Sequence, residues 1–259
     1  MAKEAVRYDV IGDHIALITL NRPEKRNAIN VSMSRILADH VKRTEADHRI
    51  RAVVLAAEGS AAFSAGADLD DIAAGLGEQI AVAETGLGGL VHAQRQKPWI
   101  AAVRAPALGG GAELALACDM IIAGPHASFS LPEVKRGMIA GAGGIYRLIR
   151  RIAPALALEL LLTGNRLDAR RAASLGLINH LVEDESVLEH ALQLARQIAA
   201  NAPLAVSRTL RIAQQAFDLS EQELRLATDA ASQFLARSED LLIGVRAFQE
   251  KSEPQWKGR

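Results

Sequence analysis

The apolar positions change period several times along the chain, and each change marks an element. Residues Val6 to Ile11 and His14 to Leu20 alternate apolar and polar positions around Gly12-Asp13, the pattern of a β-hairpin. Asn21-Arg22-Pro23 breaks the alternation. From Asn30 the period becomes helical, with Met33, Ile36, Leu37 and Val41 on one face. Arg51 to Ala56, Trp99 to Val103 and Met120 to Ile122 are short, continuous apolar runs, the signature of strands buried on both faces. Residues 70–83 are weakly periodic and contain glycine, which predicts a mobile surface segment, and a helix is expected over about 84–97, stopped by Pro98.

After Gly141 the pattern is mostly helical. Pro154 suits the first position of a helix and Gly164 the stop after Leu160-Leu161-Leu162. Ser186-x-x-Glu189 and Ser220-x-x-Glu223 read as capping boxes, and Leu/Ala-rich helices continue to about Phe248. Strands alternating with helices imply an α/β protein. The division expected is a core over residues 1–199 and a helical region over 200–259.

Composition narrows the function. Thirty basic and thirty acidic residues leave the chain formally neutral, and only 3% of residues are aromatic, which argues against a nucleic-acid or anionic-membrane partner. The single cysteine, Cys118, excludes an internal disulfide and a cysteine-built metal cluster, and the seven histidines have no metal-ligand spacing, so no metal is expected. No apolar run approaches the roughly 20 residues of a membrane span, and MAKEAVRYDV does not read as a signal peptide. The expectation is a cytoplasmic protein.

Three clusters are candidates for chemistry. The first is Ala62-Phe63-Ser64-Ala65-Gly66-Ala67-Asp68-Leu69, after a strand. The second is Ala107-Leu108-Gly109-Gly110-Gly111-Ala112-Glu113, where three glycines precede a helical Leu/Ala pattern. Glycines let backbone approach a ligand, and the first N–H groups of the helix are free to bind negative charge. The third is Ser130-Leu131-Pro132-Glu133, followed by Gly137 and then Gly141-Ala142-Gly143-Gly144. None of the glycine runs has dinucleotide or phosphate-loop spacing, and Ala62 stands where a nucleophile elbow would need glycine before Ser64. Taken alone, Glu113 also reads as a solvated carboxylate favoured by the helix dipole.

Together these clusters resemble the enoyl-CoA hydratase/isomerase (crotonase) superfamily. The resemblance extends from Leu20-Asn21-Arg22-Pro23-Glu24-Lys25-Arg26-Asn27-Ala28, through the three clusters, to Leu162-Thr163-Gly164 and Ala172 to Leu177. It implies a spiral of ββα repeats followed by helices that make a trimer interface, with a homotrimer or dimer of trimers as the assembly. It implies an acyl-CoA substrate whose thioester oxygen lies between the N–H groups of Ala67 and Gly110. The superfamily's two hydratase glutamates match Glu113 and Glu133, which would share a water for syn addition across a trans-2-enoyl double bond to give a 3-hydroxyacyl-CoA. The resemblance places Ala65, Ala67, Asp68 and Leu69 along the adenine and pantetheine path of CoA, Lys25, Arg26 and Lys251 near the CoA phosphates, and Gly141 near the acyl end. No cofactor is implied beyond the CoA of the substrate.

The chain departs from the common pattern at Arg104-Ala105-Pro106, at Ala140 and at Ile145-Tyr146. The last two sites adjoin Gly141, so a specialised or bulkier acyl group is expected. The rival readings are a Δ3,Δ2-enoyl-CoA isomerase, a carnitinyl-CoA-type dehydratase and a non-catalytic binding protein on the same fold. An isomerase can work with one glutamate, so Glu113→Gln and Glu133→Gln would then differ sharply.

Overall fold

A computed structural model describes residues 4–259. The hairpin forms from β1 (Val6–Ile11) and β2 (Ile15–Leu20), paired antiparallel with Val6 opposite Leu20. Asn30 caps α1 (Val31–Ala46) by accepting the Met33 N–H, and Met33, Leu37 and Val41 are buried as the period requires. The chain then runs through β3 (Ala52–Ala57), α2 (Leu69–Ala73), α3 (Gly77–Ile80), β4 (Ala81–Val82), β5 (Gly86–Leu87), β6 (Trp99–Val103), β7 (Ala107–Leu108) and α4 (Gly110–Ala117). It continues through β8 (Met120–Ala123), β9 (Ser128–Ser130), α5 (Gly144–Arg151), α6 (Pro154–Thr163), β10 (Leu167–Asp168), α7 (Ala169–Ser174) and β11 (His180–Leu181). The last four helices are α8 (Val187–Ala199), α9 (Pro203–Gln214), α10 (Glu221–Leu235) and α11 (Glu239–Glu250).

A six-stranded sheet in the order β1-β2-β3-β6-β8-β11 forms the frame, parallel from β2 onward. Its central strands β3, β6 and β8 read as unbroken apolar runs because both faces are covered. Val53, Leu55, Trp99, Ala101 and Val103 pack into the main core, while Ala52, Val54, Ile100, Ala102 and Ile122 pack against Val187, Ala191, Leu192 and Ala195 of α8. Each fully buried Leu, Ile or Val on these faces contributes about 1.5–3 kcal/mol.

A second sheet, β10-β9-β7, is extended by a single bridge from Ala107 to Ser64. The units β6-β7-α4 and β8-β9-α5 therefore repeat one plan: a strand in the large sheet, a short strand in the small one, then a helix. This is the expected spiral of ββα units. α4 begins where β7 ends, and α5 begins at Gly144, after the 3₁₀ turn Pro132–Arg136; the Gly144 N–H bond to Glu113 and the Ser64–Ala107 bridge bring the starts of α4 and α5 and the loop after β3 together. Among the described residues no helix is long and apolar enough to cross a membrane.

Three local expectations are corrected. No helix spans 84–97. Residues 86–93 are turns around β5, with Gly86, Gly88 and Gly89 at φ 70, 62 and 61. Gly89 lies against α1 so closely that a Cβ would be 2.7 Å from the Ala38 Cα, and a regular helix cannot supply either feature. Residues 70–83, expected as a mobile surface segment, lie largely at the surface but hold most of α2 and all of α3, and Ile80 is buried. Ser186 makes no capping bond because a short 3₁₀ turn over Asp184–Ser186 holds it in helical conformation, where its side chain cannot reach back. Ser220 and Glu223 do form the reciprocal box. Pro154 opens α6, and Gly164 closes it at φ 62.

Candidate active site

Two strands of backbone hydrogen bonds place the first loop. Leu108 N–H donates to Ser64 O at 2.9 Å and Phe63 N–H to Pro106 O at 2.9 Å, tying the loop to β7. Ile29 N–H donates to Gly66 O at 2.7 Å and Asp68 N–H to Ile29 O at 2.9 Å. This is a parallel bridge centred on Ala67, and in a parallel bridge the central residue turns its own N–H to the other side. The Ala67 N–H has no acceptor among the described residues.

The glycine turn supplies a second free donor beside it. Gly109 has φ 54 and ψ −127, backbone that only glycine adopts readily, and its N–H donates to Ser130 O at 2.8 Å. The turn starts α4 at Gly110, whose N–H is the first of the helix and has no acceptor among the described residues. A Cβ on Gly110 would lie 3.4 Å from the Ala67 nitrogen, and one on Gly66 would lie 2.8 Å from the Gly110 nitrogen. A Cβ on Gly111 would overlap the Ser64 carbonyl. Glycine at all three positions lets the helix start abut the loop, so two unpaired N–H groups stand side by side.

Two carboxylates border this pair. Glu113, in the first turn of α4, is 3% exposed and accepts the Gly144 N–H at 2.9 Å. Glu133, in the 3₁₀ turn over Pro132–Arg136, has Oε1 3.0 Å from where a Gly109 Cβ would be. Its Oε2 is buried with no hydrogen-bond partner among the described residues. Burial pushes the Glu113 carboxyl up to about 7; the Gly144 N–H opposes this and the charge of Glu133 adds to it. Burial likewise raises Glu133. A pair of this kind shares protons and offers an acid and a base near neutral pH.

The raised carboxyl has a stability consequence. An acid with a higher pKa folded than unfolded binds more protons in the folded state, so its penalty is absent below about 4.5 and complete above about 7. The Glu113→Gln variant is therefore expected to be more stable than the parent at pH 8, by about 1–3 kcal/mol. The advantage should shrink as pH falls toward 5, as read from Tm against pH.

The model of the family described as Enoyl-CoA hydratase/isomerase matches residues 11–259. The chain belongs to the enoyl-CoA hydratase/isomerase family. It is 38% identical over 246 residues to a carnitinyl-CoA dehydratase of Salmonella arizonae, covering 93% of this chain and 94% of the relative. It is 38% identical over 253 residues to a 2,3-dehydroadipyl-CoA hydratase of Escherichia coli, covering 95% and 96%. An enoyl-CoA hydratase structure from Mycobacterium tuberculosis superposes with a TM-score of 0.94 at 41% identity, covering 99% of this chain and all of that one. The protein is a hydratase-type enzyme, a hydro-lyase.

The remaining candidate residues of this hydratase divide into two groups. Ala65 and Asp68 lie on the loop beside the free donors and Leu69 opens α2 directly after it; the Ala65 N–H donates to the Arg26 carbonyl at 2.9 Å, which brings Arg26 to the same rim. Lys25 is exposed and paired with Asp70 at 3.0 Å. The Asp68 carboxylate is buried, 3.1 Å from Arg22, and caps α2 through the Asp70 N–H. Gly141 is exposed at the start of the loop that serves Glu113. Lys251 ends α11 at φ 52, and no hydrogen bond or ion pair joins its side chain to the other candidates among the described residues.

Two site-building residues escaped the sequence reading. Asn27, fully buried at φ 52, donates to Glu58 O and Ala62 O and accepts the Arg22 N–H, clamping the loop that carries Ala67. Arg147 holds the loop behind Glu113. Both act on backbone atoms distant in sequence, and no spacing rule exposes that.

Proposed function

We propose that this enzyme adds water across the 2,3 double bond of a trans-2-enoyl-CoA, giving a 3-hydroxyacyl-CoA. The observation that carries the reading is the meeting of the buried Glu113 carboxyl and the half-buried Glu133, whose Oε2 is sealed from solvent, at the turn that offers unpaired N–H groups from Ala67 and Gly110. The thioester oxygen accepts both N–H groups, which stabilise the enolate-like charge as it develops. Gly110 adds the positive end of α4 to this field. A water lies between the two carboxyls. The ionised member takes a proton from it as oxygen bonds to C3, and the protonated member delivers a proton to C2 on the same face. Protons balance over the cycle, and no cofactor enters beyond the CoA of the substrate.

The CoA moiety runs past Ala65, Ala67, Asp68 and Leu69, with Arg26 and Lys25 at the mouth and Lys251 approaching the phosphates. Exposed Leu242, Val245 and Phe248 on α11, the last 87% exposed, support a trimer or dimer of trimers built through the C-terminal helices. Near Gly141, exposed Ile145 and Tyr146 support a specialised acyl group over a plain short chain.

The test is loss of the enoyl-thioester absorbance with a panel from crotonyl-CoA to branched and polar enoyl-CoAs, repeated across pH. The expected kcat/KM profile is a bell. Its alkaline limb falls near pH 7, where the pair loses its shared proton and no acid remains. Its acid limb falls where the second carboxyl is protonated and no base remains. A flat profile from pH 5 to 9 contradicts the shared-proton reading.

A further inference from the structure

Arg147 is a half-buried cation that forms no ion pair among the described residues. Burial is the largest cause lowering its pKa; the charge of Arg95 adds to this, and nearby Tyr146 and Glu113 oppose it without pairing directly with the guanidinium. Its guanidinium donates to backbone carbonyls on two separate segments. Nη1 donates to Ala142 O at 2.9 Å, and Nη2 donates to Val91 O. Both segments build the site. The first is the loop Gly141–Gly144, whose Gly144 N–H holds Glu113. The second, residues 86–93, carries Leu87, whose side chain lies 2.5 Å from where a Gly110 Cβ would be. Gly143, at φ 104, leaves the guanidinium its space: a Cβ there would overlap Nη1 and lie 2.7 Å from the Tyr146 hydroxyl.

Resting on the hydratase reading above, we infer that Arg147 is a positioning residue for hydration. One planar guanidinium fixes the loop that orients Glu113 and, at the same time, the segment that packs on the Gly110 donor. The planar fork of arginine presents two donors at a fixed spacing to carbonyls on different segments, a geometry the compact ammonium of lysine does not reproduce. Arg147 touches neither substrate nor reacting atoms; it sets the distance between the carboxylate half and the N–H half of the site. Small displacements of that kind cost about 100-fold in rate while leaving substrate affinity nearly intact.

The test compares kcat, KM and the Kd for butyryl-CoA, a saturated probe, in the parent, R147A and R147K, with the Glu113→Gln/Glu133→Gln double variant alongside. The expected result for R147A is a fall in kcat of about 10- to 100-fold with butyryl-CoA Kd within a few-fold of the parent. R147K should recover part of the loss, and guanidinium ion at tens of millimolar should restore R147A further. Native kcat in R147A, or a loss of kcat matched by an equal loss of butyryl-CoA affinity, overturns the inference. Should R147A not fold, R147K decides it: reduced kcat at unchanged Kd supports the inference and native kcat overturns it. Persistent hydration by the double glutamine variant overturns the reading of the carboxyl pair itself, whatever the Arg147 variants do.

Discussion

Changing Glu113 and Glu133 together to glutamine is expected to lower kcat/KM for hydration by about 10,000-fold or more, while butyryl-CoA still binds. Each carboxyl supplies one half of a proton relay. Glu113 is sealed in α4 and held by the Gly144 N–H, so glutamine keeps the shape and one accepting oxygen but cannot exchange a proton. Glu133 presents a buried, unpartnered Oε2, and glutamine there replaces an acid with an amide of the same size. Either single change is expected to cost about 100- to 10,000-fold. The double variant should fall well short of the product of the two, because both groups serve one water and one transition state. The measurement is the initial rate of absorbance loss with the best acyl group of the panel. A single variant that stays within tenfold of the parent would favour isomerase chemistry, which needs one carboxyl.

The second large effect concerns the backbone donors. Gly66→Ala is expected to reduce kcat by about 100- to 1,000-fold, the range found for removing an oxyanion donor. Its Cβ would be 2.8 Å from the Gly110 nitrogen and 2.9 Å from the Leu108 carbonyl oxygen, so the α4 start must move away from Ala67. Positive φ at Gly66 adds strain, and that part needs a control. Gly176 has φ 74 and nothing within 4 Å of a built Cβ, so Gly176→Ala carries similar strain with no clash. The control should lose about 1 kcal/mol of stability and keep its kcat. Equal kcat losses in both variants would remove the case for a paired donor site.

The sequence made some parts of this molecule readable because their causes are local. The face of α1 follows from the spacing of Met33, Leu37 and Val41 and from the Asn30 cap. The buried strands follow from runs such as Ala52 to Ala57, which have no polar side to show. Glu113 lies in the first turn after the glycines, as the helical pattern predicts. What escaped has causes elsewhere in the chain. Residues 86–93 look helical by composition, yet their glycines answer to the Ala38 backbone of α1. Ser186 fails to cap because the 3₁₀ turn before it takes the backbone geometry that capping needs. Asn27 and Arg147 work by holding carbonyls 35 and 56 residues away, contacts that exist only once the spiral has closed. The burial that lifts Glu113 is of the same kind, since the α5 start that covers it lies 31 residues downstream.

In the proposed reaction the paired carboxyls put a solvent oxygen on C3 of an enoyl thioester held by Ala67 and Gly110. The most direct measurement is mass analysis of the acyl-CoA product formed from a trans-2-enoyl-CoA in ¹⁸O-labelled water. A 3-hydroxyacyl-CoA carrying one heavy oxygen is expected from the parent enzyme and none from the double glutamine variant. Recovery of a shifted double bond with no oxygen incorporated, or equal labelling by the double variant, would contradict the proposed reaction.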